Sequence, residues 1–266
     1  MIIGKRYHVL DELGSGGFGT TYKCRDRGGS EIAVKVHTGE YVQLLRHEAR
    51  IHCQLSSKGC VPRMIAWGTD EDSGHIAMEL CTRSLDSLAK GIPMTRVLDY
   101  GSQLVSALET IHGLGFVHRD VKPENLFERS KGRVIIGDLG LATSFVDGEG
   151  HRERRKVDCI IGTSRYASLD VCLGYEPFRK DDVEGLIFSL VYLECGCLPW
   201  QGKEAEAVID MKMNVQECIR TMCGEFVVAL GYLRSLKYDC RPDYAYLSAL
   251  LTNRRDLEVR GKTKGI

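Results

Sequence analysis

Apolar and polar residues alternate along the first third of the chain. "YHVLDEL" and "TTYKC" flank a glycine-rich turn, and "EIAVKV" follows a second turn at "DRGGS", so residues 6 to 36 read as strands. The period then lengthens. In "YVQLLRHEARIHCQL" (41–55), Leu44, Leu45, Ile51 and Leu55 fall on one broad face, which predicts an amphipathic helix. "VPRMIAWG" and "GHIAMEL" predict two more strands, with a turn at "DEDSG" between them. From about residue 84 the texture is helical. "TRVLDYGSQLVSALETIH" places Val97, Gly101, Leu104, Leu108 and Ile111 at three-to-four spacing. The strand "RVIIG" precedes a long polar stretch, 143 to 165, and helical segments then dominate to about residue 252. The tail "RRDLEVRGKTKGI" is basic and reads as frayed.

Length and composition narrow this picture. With 266 residues the chain can bury a sizeable core in one large domain or two small lobes. Acidic and basic residues balance at 36 each, so bulk charge makes no case for nucleic acid or a membrane surface. The longest apolar run, "LIFSLVYL" (186–193), is flanked by Glu184 and Glu194 and is too short to span a bilayer, so it reads as a core helix. The N-terminus "MIIGKRYHVL" lacks a signal pattern. The eleven cysteines include no C-x-x-C pair, which points to reduced thiols in a cytoplasmic or nuclear protein rather than a metal site.

Chemistry gathers in a few places. "GSGGFG" (14–19) fits G-x-G-x-x-G, a weak signal alone. A dinucleotide fold needs a helix straight after the third glycine, but "TTYKC" alternates like a strand, which favours a hairpin flap over a nucleotide; no Gly-Lys-Ser/Thr follows, so a Walker loop is excluded. Lys35 ends "IAVK" in mid-strand, and Glu48 follows on the helix thirteen residues later. Facing inward together, they would form a cation able to meet phosphate without titrating. His47-Glu48-x-x-x-His52 resembles a zinc-protease helix by eye, but its two histidines are five residues apart and do not share a face. "VHRDVKPENLF" (117–127) is the densest cluster. Asp120 can orient a hydroxyl and take its proton, Lys122 can neutralise a phosphate, and Asn125 offers a neutral oxygen to Mg²⁺. Asp138, in "DLG" after the strand, supplies a second metal ligand.

In series, "GSGGFG", "IAVK", Glu48, "HRDVKPEN" and "DLG" resemble a eukaryotic protein kinase over nearly the whole chain. Within that superfamily, "GTSRYASLDVCLGYEPFRKDDVE", "LPWQG" and "RPDYAYL" resemble casein kinase 1. The resemblance implies an α+β bilobal fold spanning 1–266. Residues 1–80 would form a β-rich N-lobe with one key helix, 79–83 a hinge, and 84–266 a mainly helical C-lobe. It implies that Asp120 is the catalytic base, Lys122 its phosphate-facing partner, and Lys35 with Glu48 the ion pair. Asn125 and Asp138 would hold Mg²⁺. ATP would lie against Leu13, Gly14, Gly16, Gly19, Thr21, Ala33, Lys35, Met78, Glu79, Cys81, Asn125, Phe127 and Asp138. Asp182 would brace the catalytic loop, with His118 and Leu139 in the apolar column between lobes. Lys122 with Thr163 looks like the Ser/Thr form of the site. Arg165 and Lys212 resemble positions that hold acidic or phosphorylated substrate groups, and Arg152, Arg154, Arg155 and Lys156 lie just upstream.

Three residues depart from the family's usual pattern. Leu139 replaces a common Phe, Thr21 stands where a β-branched apolar residue covers adenine, and Phe127 stands where Leu is usual. The "APE" sequence is also absent. "SLD" stands in its place, and complementary charge suggests that Asp170, or its rival Glu176, pairs with Arg241. The resemblance implies a monomeric Ser/Thr kinase acting on proteins. It also implies activity without phosphorylation at Thr143, Ser144, Thr163 or Ser164. The alternative is a pseudokinase scaffold or phosphopeptide-binding module, against which Lys35, Asp120 and Asp138 all stand.

Overall fold

A computed structural model describes residues 1–17, 19–70, 72–88, 92–130, 132–148, 150–219 and 224–263, with side chains as far as 256. Phe18, within the glycine-rich turn, lies outside them. The N-terminal part is built from β1 (Ile2–Ile3), β2 (Tyr7–Gly16), β3 (Gly19–Arg25), β4 (Glu31–Thr38), α1 (Val42–Leu55), β5 (Met64–Thr69) and β6 (Ser73–Glu79). The six strands form one antiparallel sheet in the order β1-β2-β3-β4-β6-β5. Its turns follow from sequence. The Asp26 carboxylate accepts from the backbone N–H groups of Gly28 and Ser30 at 2.9 Å, closing β3 onto β4. Register sets Lys35 opposite Thr21 on one side and Ile76 on the other.

Helix α1 lies against this sheet through Leu45 and Ala49, which pack on Ile76. Leu44, expected on the buried face, is 40% exposed, because it sits a turn beyond Glu48 where no described hydrophobic cluster reaches; Val42 is buried instead. His52 Nε2 lies 2.6 Å from the Pro62 carbonyl and His47 Nε2 2.9 Å from that of Ala142, so both histidines tie elements together.

Next come β7 (Arg83–Ser84), α2 (Met94–Gly113), β8 (Phe116–Val117), β9 (Leu126–Ser130) and β10 (Arg133–Ile136). The short β11 (Thr143–Ser144), β12 (Val146–Asp147) and β13 (Gly150–His151) follow, and then α3 (Leu169–Cys172), α4 (Arg179–Cys195), α5 (Ala205–Met213), α6 (Val215–Ile219), α7 (Gly224–Ser235) and α8 (Tyr244–Thr263). Strands β7, β9 and β10 pair antiparallel. Helix α4 is buried on every face from Lys180 to Val191, as the run "LIFSLVYL" predicts. It is the spine of the main hydrophobic cluster, with Val97, Leu104, Leu108 and Ile111 of α2 against it. The chain end corrects one expectation. Residues 254 to 263 are helical rather than frayed, because α8 docks on α2, where Arg255 pairs with Asp99 at 3.0 Å. Among the described residues, no helix is long and apolar enough to cross a membrane.

Gly101 marks where α2, α4 and α8 converge. A Cβ there would lie 2.7 Å from Leu190 Cδ1 and 3.0 Å from Leu251 Cδ1. Gly101→Val should therefore overpack the core and cost about 1–3 kcal/mol, read as a lower denaturation midpoint. Gly113→Ala, where a Cβ meets nothing, serves as the control and should not lower it.

Candidate active site between the sheet and the helices

The sheet's contribution is a lysine in a strand. Lys35 projects from β4 toward α1, where its Nζ donates to Glu48 Oε1 at 3.0 Å and Oε2 at 2.8 Å. The same ammonium donates to Asp138 Oδ1 at 2.6 Å, a group 103 residues away in sequence. Burial works against the Lys35 charge, but the two carboxylates outweigh it and hold the ammonium above its ordinary range. Burial would raise the Asp138 carboxyl, but Lys35 outweighs it and brings the group to about 2. Asp138 sits in left-handed backbone, φ 55°, two residues past the end of the strand Arg133–Ile136. A non-glycine residue held there is strained and persists only where its surroundings fix it. Here Lys35 and the Gly140 N–H, 3.3 Å from Oδ1, do so.

The second half comes from the loop between β8 and β9. Asp182, buried at the start of α4, accepts from the backbone N–H of His118 and of Arg119, each at 2.7 Å, and its Oδ2 lies 2.9 Å from His112 Nε2. This holds Arg119 at φ 70°, just ahead of Asp120. Asp120 Oδ1 accepts from the Thr163 N–H at 2.8 Å, and its Oδ2 pairs with Lys122 Nζ at 2.7 Å. Lys122 also donates to Thr163 Oγ1 at 2.8 Å. Asn125 Nδ2 donates to the Asp120 carbonyl at 2.9 Å and to Asp120 Oδ2 at 3.2 Å. The two halves meet through β10, where the Gly137 N–H donates to the Asn125 carbonyl at 2.8 Å and the Gly137 carbonyl lies 2.9 Å from His118 Nε2.

A family model for the protein kinase domain matches residues 7–237. The chain belongs to the protein kinase family. Its fold is that family's, an N-terminal antiparallel sheet with a helix and a mainly helical C-terminal part.

The remaining positions of this kinase domain can now be placed. At Gly14, Gly16 and Gly17 an added Cβ would meet nothing within 4 Å, so packing does not require these glycines and their backbone stays bare. Gly19 differs, since a Cβ would lie 2.1 Å from the Val36 carbonyl, and this glycine serves the sheet. Leu13 is exposed and Thr21 half-buried on the neighbouring strands. Ala33 and Met78 face each other across β4 and β6. Glu79 is held by Arg129 at 2.8 Å, and burial pushes the Cys81 thiol up to about 11. Phe127 fits because its neighbour is glycine: a Cβ on Gly137 would lie 2.7 Å from the phenyl ring.

Protein kinases as a family use ATP with Mg²⁺. The donors here fit a hard cation. Asn125 spends its N–H groups on Asp120, leaving Oδ1 as its available atom, and Asp138 is a half-exposed carboxylate. Among the described residues, no group of three His, Cys, Asp or Glu could hold a metal, so phosphate oxygens would have to complete its shell.

Two expectations fail. Lys212 does not face a substrate groove. It is fully buried, donates to the carbonyls of Ser164 at 2.9 Å and Ala167 at 2.6 Å, and lies 3.4 Å from Cys172 Sγ. Arg241 meets neither Asp170 nor Glu176. It pairs with Glu109 at 2.8 Å, whereas Asp170 takes Arg154 at 2.8 Å and Lys180 at 2.7 Å. The carboxylate–guanidinium brace lies elsewhere, between Glu184 and Arg234 at 2.8 Å. Glu176 is shared by Arg152 at 3.4 Å and Arg119 at 3.7 Å. Arg165 is half-buried, and its carbonyl accepts from Trp200 Nε1 at 2.8 Å. Among the described residues, no carboxylate forms an ion pair with its guanidinium.

Gly162 escaped the sequence reading. Its φ is 86°, and a Cβ would lie 2.4 Å from the Arg119 carbonyl and 3.1 Å from Asp120 Oδ1. Only glycine lets the segment bearing Thr163 reach Asp120. The signal was a lone glycine closing a polar stretch, too common to stand out.

Proposed function

We propose that this kinase domain is a Ser/Thr protein kinase of the casein kinase 1 type, moving the γ-phosphate of ATP to Ser or Thr hydroxyls of proteins, with a preference for acidic or already phosphorylated sequences. One observation carries the reading: Asp120, Lys122 and Thr163 form a closed hydrogen-bonded set beside an assembled Lys35–Glu48–Asp138 triad. An Asp120 carboxylate oxygen would receive the hydroxyl proton as the oxygen attacks phosphorus. Lys122 would offset negative charge on the phosphoryl oxygens in flight. Lys35, fixed by Glu48, would hold the α- and β-phosphates beneath the bare backbone of Gly14, Gly16 and Gly17. Residues 79–83 would present backbone groups to adenine beside Met78 and Ala33. Asn125 and Asp138 would hold Mg²⁺, which supplies charge neutralisation on the phosphates.

Substrate preference rests on Arg165, which pairs with no acid among the described residues and can offer a guanidinium fork to phosphate or carboxylate. Autonomous activity is supported by Glu176, a carboxylate built into the fold where Arg119 and Arg152 meet. The Thr163 and Ser144 hydroxyls already have partners. Every cysteine among the described residues is unpaired, in keeping with a reducing cytoplasmic or nuclear setting.

Asp120→Asn should lower kcat by about 10²–10⁴-fold with nucleotide binding kept, measured as radiolabelled phosphate transfer to casein. Equal transfer by both proteins would mean that Asp120 is not the base and would sink this reading of the site. Arg165→Ala should lose activity on acidic or primed peptides more than on neutral ones, and equal losses would remove Arg165 from substrate selection. Phosphatase treatment should leave wild-type activity intact while Glu176→Ala loses most of it; loss on dephosphorylation would mean that an added phosphate, not Glu176, orders the segment.

A further inference from the structure

On the face where α2 ends, a groove of about 800 Å³ opens between that helix, β12 and the start of α4. Leu114, Phe145, Val146, Arg179, Arg241 and His112 line it. Apart from His112, which bonds the Asp182 carboxylate, none of these takes part in the chemistry described above. His112 is turned inward, bonded to Tyr244 and Asp182. The other five leave an unusual surface.

The apolar part is exposed. Leu114 is 39% and Val146 40% accessible, and they lie together: a Cβ on Gly115 would come within 2.9 Å of Val146 Cγ2. The cationic part is undersupplied with acid. Arg179 stacks over the Phe145 ring at 4.4 Å and donates to the Asp239 carbonyl, and its Nε is buried without a partner. Among the described residues, no carboxylate forms an ion pair with Arg179. Burial pulls its pKa down and Arg241 adds to that, against a smaller upward pull from Tyr244, Asp239 and Cys240; the Asp239 carboxylate is near but forms no ion pair with it. Among the described residues, Arg241 pairs with one carboxylate, Glu109, and lies over the Tyr244 ring; that ion pair is 66% and 44% exposed, and an incoming acid can exchange it at little cost.

Two adjacent guanidiniums short of acid, edged by solvent-facing aliphatic groups, complement a carboxylate flanked by an aliphatic side chain. We propose that this groove docks a short acidic–aliphatic segment of a protein substrate, with an Asp or Glu on Arg179 and Arg241 and a Leu, Ile or Val against Leu114 and Val146. The peptide class is favoured over nucleic acid because the groove offers two cations and an apolar edge, whereas a phosphate backbone is bound by many cations. Docking would add affinity away from Asp120, and so would lower KM without changing kcat. That part rests on the kinase reading; the binding itself does not.

The test uses the full chain and a fluorescein-labelled Leu-Asp-Glu-Leu-Asp peptide without any hydroxyl side chain, followed by anisotropy. Saturable binding is expected, at least tenfold weaker for the Asn/Gln analogue and for the Arg179→Ala/Arg241→Ala protein. A Lys-substituted peptide should bind Arg241→Glu better than wild type. Val146→Asp, at an exposed site, should weaken binding with an unchanged melting temperature, which guards against misfolding as the cause. Fused to a phosphoacceptor peptide, the segment should lower KM at least fivefold on wild type only, with transfer to the unfused peptide equal in all proteins. Saturable binding with no phosphate transfer to any peptide would uphold docking while sinking the kinase reading. No binding by wild type, equal binding of the neutral analogue, undiminished binding by the variants, or stronger binding of a single-stranded oligonucleotide of equal charge would each overturn the proposal.

Discussion

A carboxylate buried under a loop sets the geometry of this molecule. Asp182 lies inside α4 with almost no solvent contact. Burial would push such a group up, but His112, His118 and the backbone N–H groups it accepts outweigh that and keep it low. Two of those N–H groups belong to His118 and Arg119. A charge buried with this many donors is fixed in place, because leaving any donor costs desolvation that nothing repays. The loop above it inherits that rigidity. Arg119 can then occupy a backbone region that its side chain disfavours, and Asp120 follows in a set orientation. Removing the carboxylate would leave two buried N–H groups without acceptors and release the strain at Arg119.

The sheet side obeys the same logic with the signs reversed. There a buried ammonium is the fixed point, and the carboxylates of Glu48 and Asp138 gather on it. Asp138 shares the strained backbone class of Arg119, and both residues sit two residues past a strand and one hydrogen bond from an anchor. The two anchors are linked through Gly137 and Asn125, so a shift in either half is transmitted by backbone atoms rather than by long side chains. This explains why glycine recurs at the contact points. Gly137 admits the Phe127 ring, Gly140 lies within 3.4 Å of Lys35 Nζ as measured from its missing Cβ, and Gly162 passes the Arg119 carbonyl.

Much of this was legible in the sequence. Period-2 and period-3.6 patterns located β2 to β6, α1, α2 and the buried α4, because each of those elements buries a face that its own residues encode; the two-residue β1 is too short to carry a pattern. Lys35, Glu48, Asp120, Lys122, Asn125 and Asp138 were legible for another reason: only a demanding chemistry places those types in that order. The misreadings share a cause. Leu44 and the 254–263 segment depend on how far a neighbouring element extends, which local pattern does not carry. Lys212, Asp170 and Arg241 depend on which partner lies nearest in space. For Arg241, charge complementarity offered Asp170 and Glu176, and for Lys212 resemblance alone offered a substrate anion; neither carries the spatial neighbour that decides.

Lys212 shows how tertiary context overrides residue type. A lysine without a carboxylate partner is expensive to bury, and burial does lower its pKa. Yet its ammonium meets two carbonyls, those of residues 164 and 167, which bracket Arg165. The buried ammonium and these two loop carbonyls satisfy each other. The Trp200 N–H completes the arrangement by taking the Arg165 carbonyl itself. The turn at residues 164–167 is thus held through its backbone oxygens by Lys212 and Trp200. The buried ammonium fixes the backbone on either side of Arg165 without engaging the Arg165 side chain.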